Sequence, residues 1–393
     1  QNANVKNTVI GGLAGDAIDD GDQNTLVGYQ AGSAISGGDA NTAIGHGAYG
    51  SGTGSANVAI GSYAIQGAAA SGNDNVVVGY NAGNDLTDGP GNVIIGKSAG
   101  AAMTTGDYNI AIGYQAADGM AGNANYNVAI GKDALGGATG AVESCIAIGP
   151  NALLVQNTAA SVNLAIGANA GDAITSGTAN VLVGFYAGSG IQDDDNNTAL
   201  GYNALKAATA GDGNTAIGSL AMGLGGTTGS SNVCVGKAAG YDLTAGADNV
   251  IVGKYAGYNA TTGKQNVIIG LDACGIGVLA NASSTEGMYN VVIGPQAGYD
   301  LTTGQRNILL GKDSGANFTD NYQNIVIGSY AMDAATGGEH YNVVIGDGAL
   351  GAENSNANYC VAIGRDALGL QNANVKNTAI GGLAGDAITS GTQ

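Results

Sequence analysis

Twenty-two times along 393 residues the chain repeats N-[T/V/I/L]-x-[I/V/L]-G, with its glycine at 11, 28, 45, 61, 79, 96, 113, 131, 149, 167, 184, 201, 218, 236, 253, 270, 294, 311, 328, 346, 364 and 381; Cys replaces the leading Asn twice. Twenty of the 21 spacings are 16 to 18 residues, and one, Gly270 to Gly294, is 24. So short and steady a period means a solenoid: one unit is one coil, which buries nothing alone and gains its core by stacking on its neighbours.

The coil is built from strands. A unit such as NTLVGYQAGSAISGGDA (24–40) holds one short β-type run, the motif glycine, a second run ending Ala31-Gly32 and a polar turn. Helix is excluded because glycine recurs every few positions and no unit holds about ten residues of helical periodicity. The expected fold is all-β, a parallel β-solenoid or β-roll of about 22 coils of 16–18 residues, running as one continuous solenoid over 1–393. At one layer per ~4.8 Å it would be a rod on the order of 100 Å long.

The columns suggest where side chains point. The residue before the motif glycine is Ile, Val or Leu in all 22 units, and the one two positions earlier is Thr, Val, Ile or Leu. Strand alternation puts these two on one face, expected to fill the coil. Three residues after the glycine comes Ala in 21 of 22 units, Ser314 being the exception, which calls for a close second wall. The column between the two flanks should then face outward, yet it is apolar throughout: Leu26, Val77, Ile94, Leu182, Ile268, Leu309 and Val326 are examples. An outward apolar stripe of that length needs cover. The same stripe on other copies, around a shared axis, would supply it.

The motif Asn stands in 20 of 22 units, Asn24, Asn41, Asn57, Asn92, Asn180, Asn266 and Asn324 among them, with Cys145 and Cys360 in the other two. Stacked in register, these amides are expected to form a structural hydrogen-bond ladder from coil to coil. The two Cys units expose a longer period, for ESCIAIGPNALL at 143–154 realigns with NYCVAIGRDALG at 358–369, twelve coils or 215 residues later. Block duplication also explains why QNANVKNTVIGGLAGDAI at 1–18 returns at 371–388 with 17 of 18 residues unchanged. Both ends fall in mid-pattern without an initiator Met, so the stretch reads as part of a longer repetitive chain.

Seventy-two Gly, 3 Pro and 44% apolar residues exclude both collagen and simple disorder. A formal charge of −19 repels phosphate backbones, so nucleic acid is an unsuitable partner. No apolar run approaches the ~18 residues of a membrane span.

The units NVAIG (57–61), NIAIG (109–113) and NLAIG (163–167), each followed by x-x-Ala, resemble the head repeats of trimeric autotransporter adhesins. Arrays like NTAIG (41–45) and NTLVGYQAG (24–32) are also similar to repeats of phage tail fibres and bacterial surface fibres. The resemblance covers the whole chain. It implies a left-handed parallel β-roll packed as a parallel homotrimer, located outside the cell on a cell surface or virion. The units here are longer than the usual adhesin-head unit, which implies an extra outer turn.

Candidates for chemistry are sparse. His46 and His340 have no second ligand at metal spacing, and no cofactor is expected; the nine-residue calcium-coil pattern is not repeated, so a structural calcium lacks support. Asp193, Asp194 and Asp195 are the densest carboxylate cluster and the only one a polysaccharide-cleaving spike could use. The long unit at 271–290 carries about seven extra residues as a loop, with Glu286 and Tyr289 as candidate ligand-binding residues. Tyrosines recur one or two residues after the motif glycine (Tyr29, Tyr63, Tyr80, Tyr114, Tyr202, Tyr255, Tyr330), where they could stack on sugars or cover Gly-rich backbone. The expected function is a structural or adhesive fibre without catalysis, with filament formation as a further option. The alternatives are a glycan-binding module and a polysaccharide-degrading spike.

Overall fold

The computed structural model describes residues 6–67, 70–157, 161–209, 211–280, 287–352, 357–371 and 376–389. Among them every regular element is a β-strand, and the chain is a parallel β-solenoid of about 21–22 turns. Two compact units divide it, Gln1–Asp195 and Asn196–Gln393. The first holds β1 (Thr8–Ile10), β2 (Thr25–Val27), β3 (Ala34–Ile35), β4 (Thr42–Ile44), β5 (Ser51–Gly52), β6 (Val58–Ile60) and so on to β13 (Val181–Val183). The second runs from β14 (Thr198–Leu200) to β24 (Thr378–Ile380), with β20 at Ile308–Leu310.

Within each unit the motif strands pair in parallel with no slip. Thr25, Leu26 and Val27 face Thr42, Ala43 and Ile44. Ile308, Leu309 and Leu310 face Ile325, Val326 and Ile327. A second short ladder joins β3 to β5.

Strands end after three residues because the backbone turns sharply on both sides. The residue before the motif Asn is left-handed (Gln23 at φ 60°), and so is the second after the glycine (Gln30 at φ 55°). The motif glycines themselves lie at φ +130° to +143°, where L side chains are strained.

Burial reverses the expected phase of the strand. The middle column, Leu26, Val77, Ile94, Leu182, Ile268, Leu309 and Val326, is fully buried inside a single chain, so it is the coil's core and not an outward inter-chain stripe. The flanking columns, expected inside, face out instead: Ile44 is 39% exposed, Ile166 37% and Ile325 38%. The reason is the motif Asn. It too is buried, and it stands two residues before the middle column, so alternation carries both inward together. The Ala column is buried as expected, and Ser314 fits there by donating its hydroxyl to the Val326 carbonyl at 3.2 Å.

Bulk inside each coil is shared among three positions: the middle strand residue, the fourth residue after the motif glycine, and the seventh. Where the first is large the second is often glycine, as in Leu26 with Gly32, Leu182 with Gly188 and Leu309 with Gly315. A Cβ at Gly188 would come 2.6 Å from Leu182 Cδ2. Where the first is Ala, the second often carries the bulk, as with Ala129 and Leu135, Ala147 and Leu153, or Ala43 and the buried Tyr49. The seventh then follows suit, with Ile35 after Gly32 but Ala138 after Leu135. Close packing of a fixed volume explains the exchange.

It also makes a prediction. Ile94→Ala should cost ~2–5 kcal/mol through the cavity it leaves. Gly100→Leu should also destabilise, because a Cβ there already lies 3.2 Å from Ile94 Cδ1. The double variant should recover at least ~1 kcal/mol of the summed losses. Urea unfolding of the four proteins measures this coupling, and strict additivity would refute the shared-volume account.

The Asn column is a continuous hydrogen-bond system within each unit. In the first, the backbone N–H of Asn41 donates to Asn24 Oδ1 at 2.8 Å, that of Asn57 to Asn41 Oδ1 at 2.9 Å, and that of Asn92 to Asn75 Oδ1 at 2.9 Å. In the second, Asn266 donates to Asn249 Oδ1 and Asn324 to Asn307 Oδ1, at 3.0 and 3.1 Å. Each Nδ2 meanwhile donates to a turn carbonyl: Asn24 to Gly38, Asn92 to Gly106, Asn180 to Asp194, Asn266 to Gly287 and Asn324 to Glu339, all within 2.8–2.9 Å. A buried amide left unpaired costs ~1–3 kcal/mol, so the column locks each outer turn to its neighbouring strand.

The two Cys coils keep the ladder intact by a substitution eleven residues later. Cys145 N–H still donates to Asn127 Oδ1 at 2.9 Å, and its sulfur takes the Asn163 backbone N–H, but an acceptor for the Asn163 side-chain amide is missing. The buried Gln156 supplies it, accepting from Asn163 Nδ2 at 2.7 Å. In the second unit Gln371 does the same for Asn377 at 2.7 Å. Each Cys–Gln pair is therefore one structural device, present in both copies of the twelve-coil block.

Candidate functional site

Outside the core, the coil offers three surfaces. The first is the outward side of the motif strands, where the two flanking columns place one half-exposed Ile, Val, Leu or Thr on each side of the strand centre in every coil. Within each unit these residues repeat in strict register, so the face is apolar coil after coil.

The second surface is the bend after the motif glycine, where the sequence puts its tyrosines. Rings there contact ring to ring across coils: Tyr29 stacks on His46 with centroids 5.4 Å apart, His46 meets Tyr63 edge-on at 4.9 Å, and Tyr63 meets Tyr80 at 6.3 Å. Basic residues cap the rings, with Lys97 and Lys132 both near Tyr114 (5.7 and 6.0 Å to the centroid) and Lys312 4.7 Å from Tyr330. Such contacts are worth ~0.5–1 kcal/mol when exposed. Tyr29 and Tyr63 also lie against glycine backbone of the preceding coil, at Gly12 and Gly47. Tyr202 is also exposed, in the same column.

His340 stacks on Tyr322 at 3.5 Å and accepts the Tyr322 backbone N–H on Nδ1 at 3.3 Å; burial holds its imidazole below the usual range. Among the described residues no group of three or more His, Cys, Asp or Glu could hold a metal ion.

The three consecutive acids do not converge. Asp193 Oδ1 accepts the hydroxyls of Ser176 and Thr175 at 2.6 and 2.7 Å, which lowers its pKa. Asp195 Oδ1 accepts both the N–H and the hydroxyl of Thr178, at 2.6 and 2.9 Å. Asp194 is nearly buried, and its carbonyl receives the Asn180 amide. These groups tie one turn to the next.

In the long unit the described residues on either side of 281–286 bond to the next coil, Ala280 N–H to Thr302 O at 3.2 Å and Gly287 N–H to Thr303 O at 3.0 Å. Glu286 lies outside the described residues. Tyr289 is exposed, and the Arg306 guanidinium lies 5.9 Å from its ring centroid. The four cysteines are buried and unbridged, and burial pushes the Cys274 thiol up to about 12.

The third surface is a cleft of ≈ 260 Å³ in the second unit, lined by Tyr255, Tyr258, Asp272, Gly275, Ile276 and Tyr299. It arises in the column five residues after the motif glycine, which reads Tyr241, Tyr258, Gly275, Tyr299 in four successive coils. Tyr241 and Tyr258 stack with centroids 4.8 Å apart and planes at 17°. Tyr255 meets Tyr258 edge-on at 5.6 Å. Burial, with Tyr241 and Asp242 beside it, raises the Tyr258 phenol pKa, so the ring keeps its proton. The two tyrosine columns nearest the glycine do not point to this cleft; its signal in the letters is the run Tyr241, Tyr258, Gly275, Tyr299 three positions further on.

Comparison of the chain with protein-family models, with curated proteins and with solved structures found no match in any of the three. Among the described residues no helix is long and apolar enough to cross a membrane.

Proposed function

We propose that the chain is a non-catalytic structural element of an extracellular surface fibre, a stack of coils whose outward strand face packs against the same face on two other copies. The observation that carries this reading is the pair of half-exposed apolar columns, typified by Ile44, Ile166 and Ile325. Soluble single chains rarely leave so extended an apolar face in water. A face repeating once per coil is complementary to itself under rotation, which is the requirement of a closed symmetric assembly. The likeness of the NVAIG-type units to adhesin heads supports three copies and a location on a cell surface or virion.

Light scattering tests it. A mass near 114 kDa, three times 38.0 kDa, is expected for the chain. The double variant Ile44→Asp, Ile325→Asp charges the outward face while leaving the coil core alone; it should keep its β-sheet circular dichroism and fall to 38.0 kDa. A wild-type particle of 38.0 kDa would overturn the reading, and growth into end-to-end filaments would replace it with a polymer.

A further inference from the structure

We propose that the cleft between Tyr258 and Tyr299 is a binding site for one pyranose ring of a glycan. In this column the rings of two successive coils, Tyr241 and Tyr258, stack with centroids 4.8 Å apart. The next coil has Gly275 at the same position. Tyr299, one coil further on, leans over that glycine: a Cβ at Gly275 would lie 2.9 Å from Tyr299 Cε2 and 2.8 Å from the Asp272 carbonyl. Any side chain at 275 would therefore displace the Tyr299 ring, and the cleft opens beside these rings, with Tyr258 and Tyr299 both in its lining.

The size and the walls select the ligand. At ≈ 260 Å³ the cleft is smaller than the roughly 300–1,000 Å³ that hold drug-sized molecules, which suits one ring of a longer chain. A pyranose carries weakly positive C–H groups on its flat face, and these match the negative faces of tyrosine rings. Its hydroxyls lie around the rim and need acceptors. Asp272 is the one carboxylate lining the cleft, and it accepts from hydroxyl donors as a charge-assisted partner. Tyr255 closes a side, its ring held by Lys254 at 4.8 Å and Lys237 at 5.9 Å. A wholly apolar ring would cover Asp272 without giving it a donor, a desolvation penalty that disfavours an aromatic side chain. The assignment does not depend on how many copies assemble.

Saturation-transfer NMR on the full chain tests the site, using the methyl glycosides of glucose, galactose, mannose and N-acetylglucosamine as probes, with p-cresol as the aromatic comparison. At least one glycoside should receive saturation at its ring C–H protons, with a Kd in the millimolar range. Tyr258→Ala should weaken binding about tenfold. Asp272→Asn, which keeps the shape of the cleft, should weaken it at least about fivefold. Circular dichroism of both variants should match the parent. Transfer to none of the glycosides, transfer to p-cresol alone, or glycoside binding unchanged in both variants would each overturn the proposal.

Discussion

Leu309→Asp should unfold the coils around β20 even in an isolated chain. Leu309 is fully buried, stacked in register on Val326, and its Cδ atoms lie about where Cβ atoms at Gly298 and Gly315 would meet them, at 3.0 and 3.1 Å. Removing the leucine costs ~2–5 kcal/mol, and an unpaired carboxylate in the same place costs several more. The sum is comparable with the roughly 5–15 kcal/mol that stabilises a whole domain. Because each coil contacts only its neighbours, the damage removes the support of the coils on either side as well. The matched control is one residue away. Ile308→Asp alters a half-exposed flank and should leave the coil folded while weakening assembly. Far-UV circular dichroism with limited proteolysis separates the two variants. If Leu309→Asp kept the parental spectrum and Ile308→Asp lost it, the inside and outside of the strand would have to be exchanged.

Gly113→Val should be nearly as damaging, for a backbone reason. Gly113 sits at φ +140°, and a Cβ there would lie 2.5 Å from the Gly131 carbonyl oxygen and 2.7 Å from its carbon. Both obstacles are main chain of the next coil, so no rotamer relieves them. The expected loss is roughly 4 kcal/mol or more, in the range reserved for steric and strain failures. Gly122→Ala isolates the strain component, since its φ is +67° but nothing lies within 4 Å of the added methyl. It should cost only about 1 kcal/mol. Urea midpoints of the two variants measure the difference, and equal midpoints would mean that conformational strain, not coil-to-coil contact, explains why the motif glycine recurs in every coil.

The period, the coil number, the parallel β class and the inter-coil bonding of the motif Asn could all be read without coordinates. Each follows from a column that admits almost one residue type, and such a column reports a local requirement repeated at every layer. The need for glycine at 28 or 113 and for a methyl at Ala31 are requirements of that kind.

What tertiary structure alone decided is which side of the three-residue strand is the inside. Thr25, Leu26 and Val27 show the difficulty: apolar residues occupy both faces of the motif strands, so alternation sets no phase by itself. The phase is set by Asn24 and its equivalents, whose amides must reach turn carbonyls across the coil and so draw Leu26 and its equivalents inward with them. One clue was present in the letters, for the middle column admits no polar residue, whereas the outward flank accepts Thr8, Thr25, Thr42, Thr198 and Thr215. The exchange of bulk between Ile94 and Gly100, the repair of the Asn ladder by Gln156 and Gln371, and the seating of the Tyr299 ring on Gly275 depend on which side chains share a volume or meet across layers. Sequence determined the repeat because each coil satisfies the same local backbone constraints; the fold determined the core and the cleft because those exist only between residues that stacking brings together.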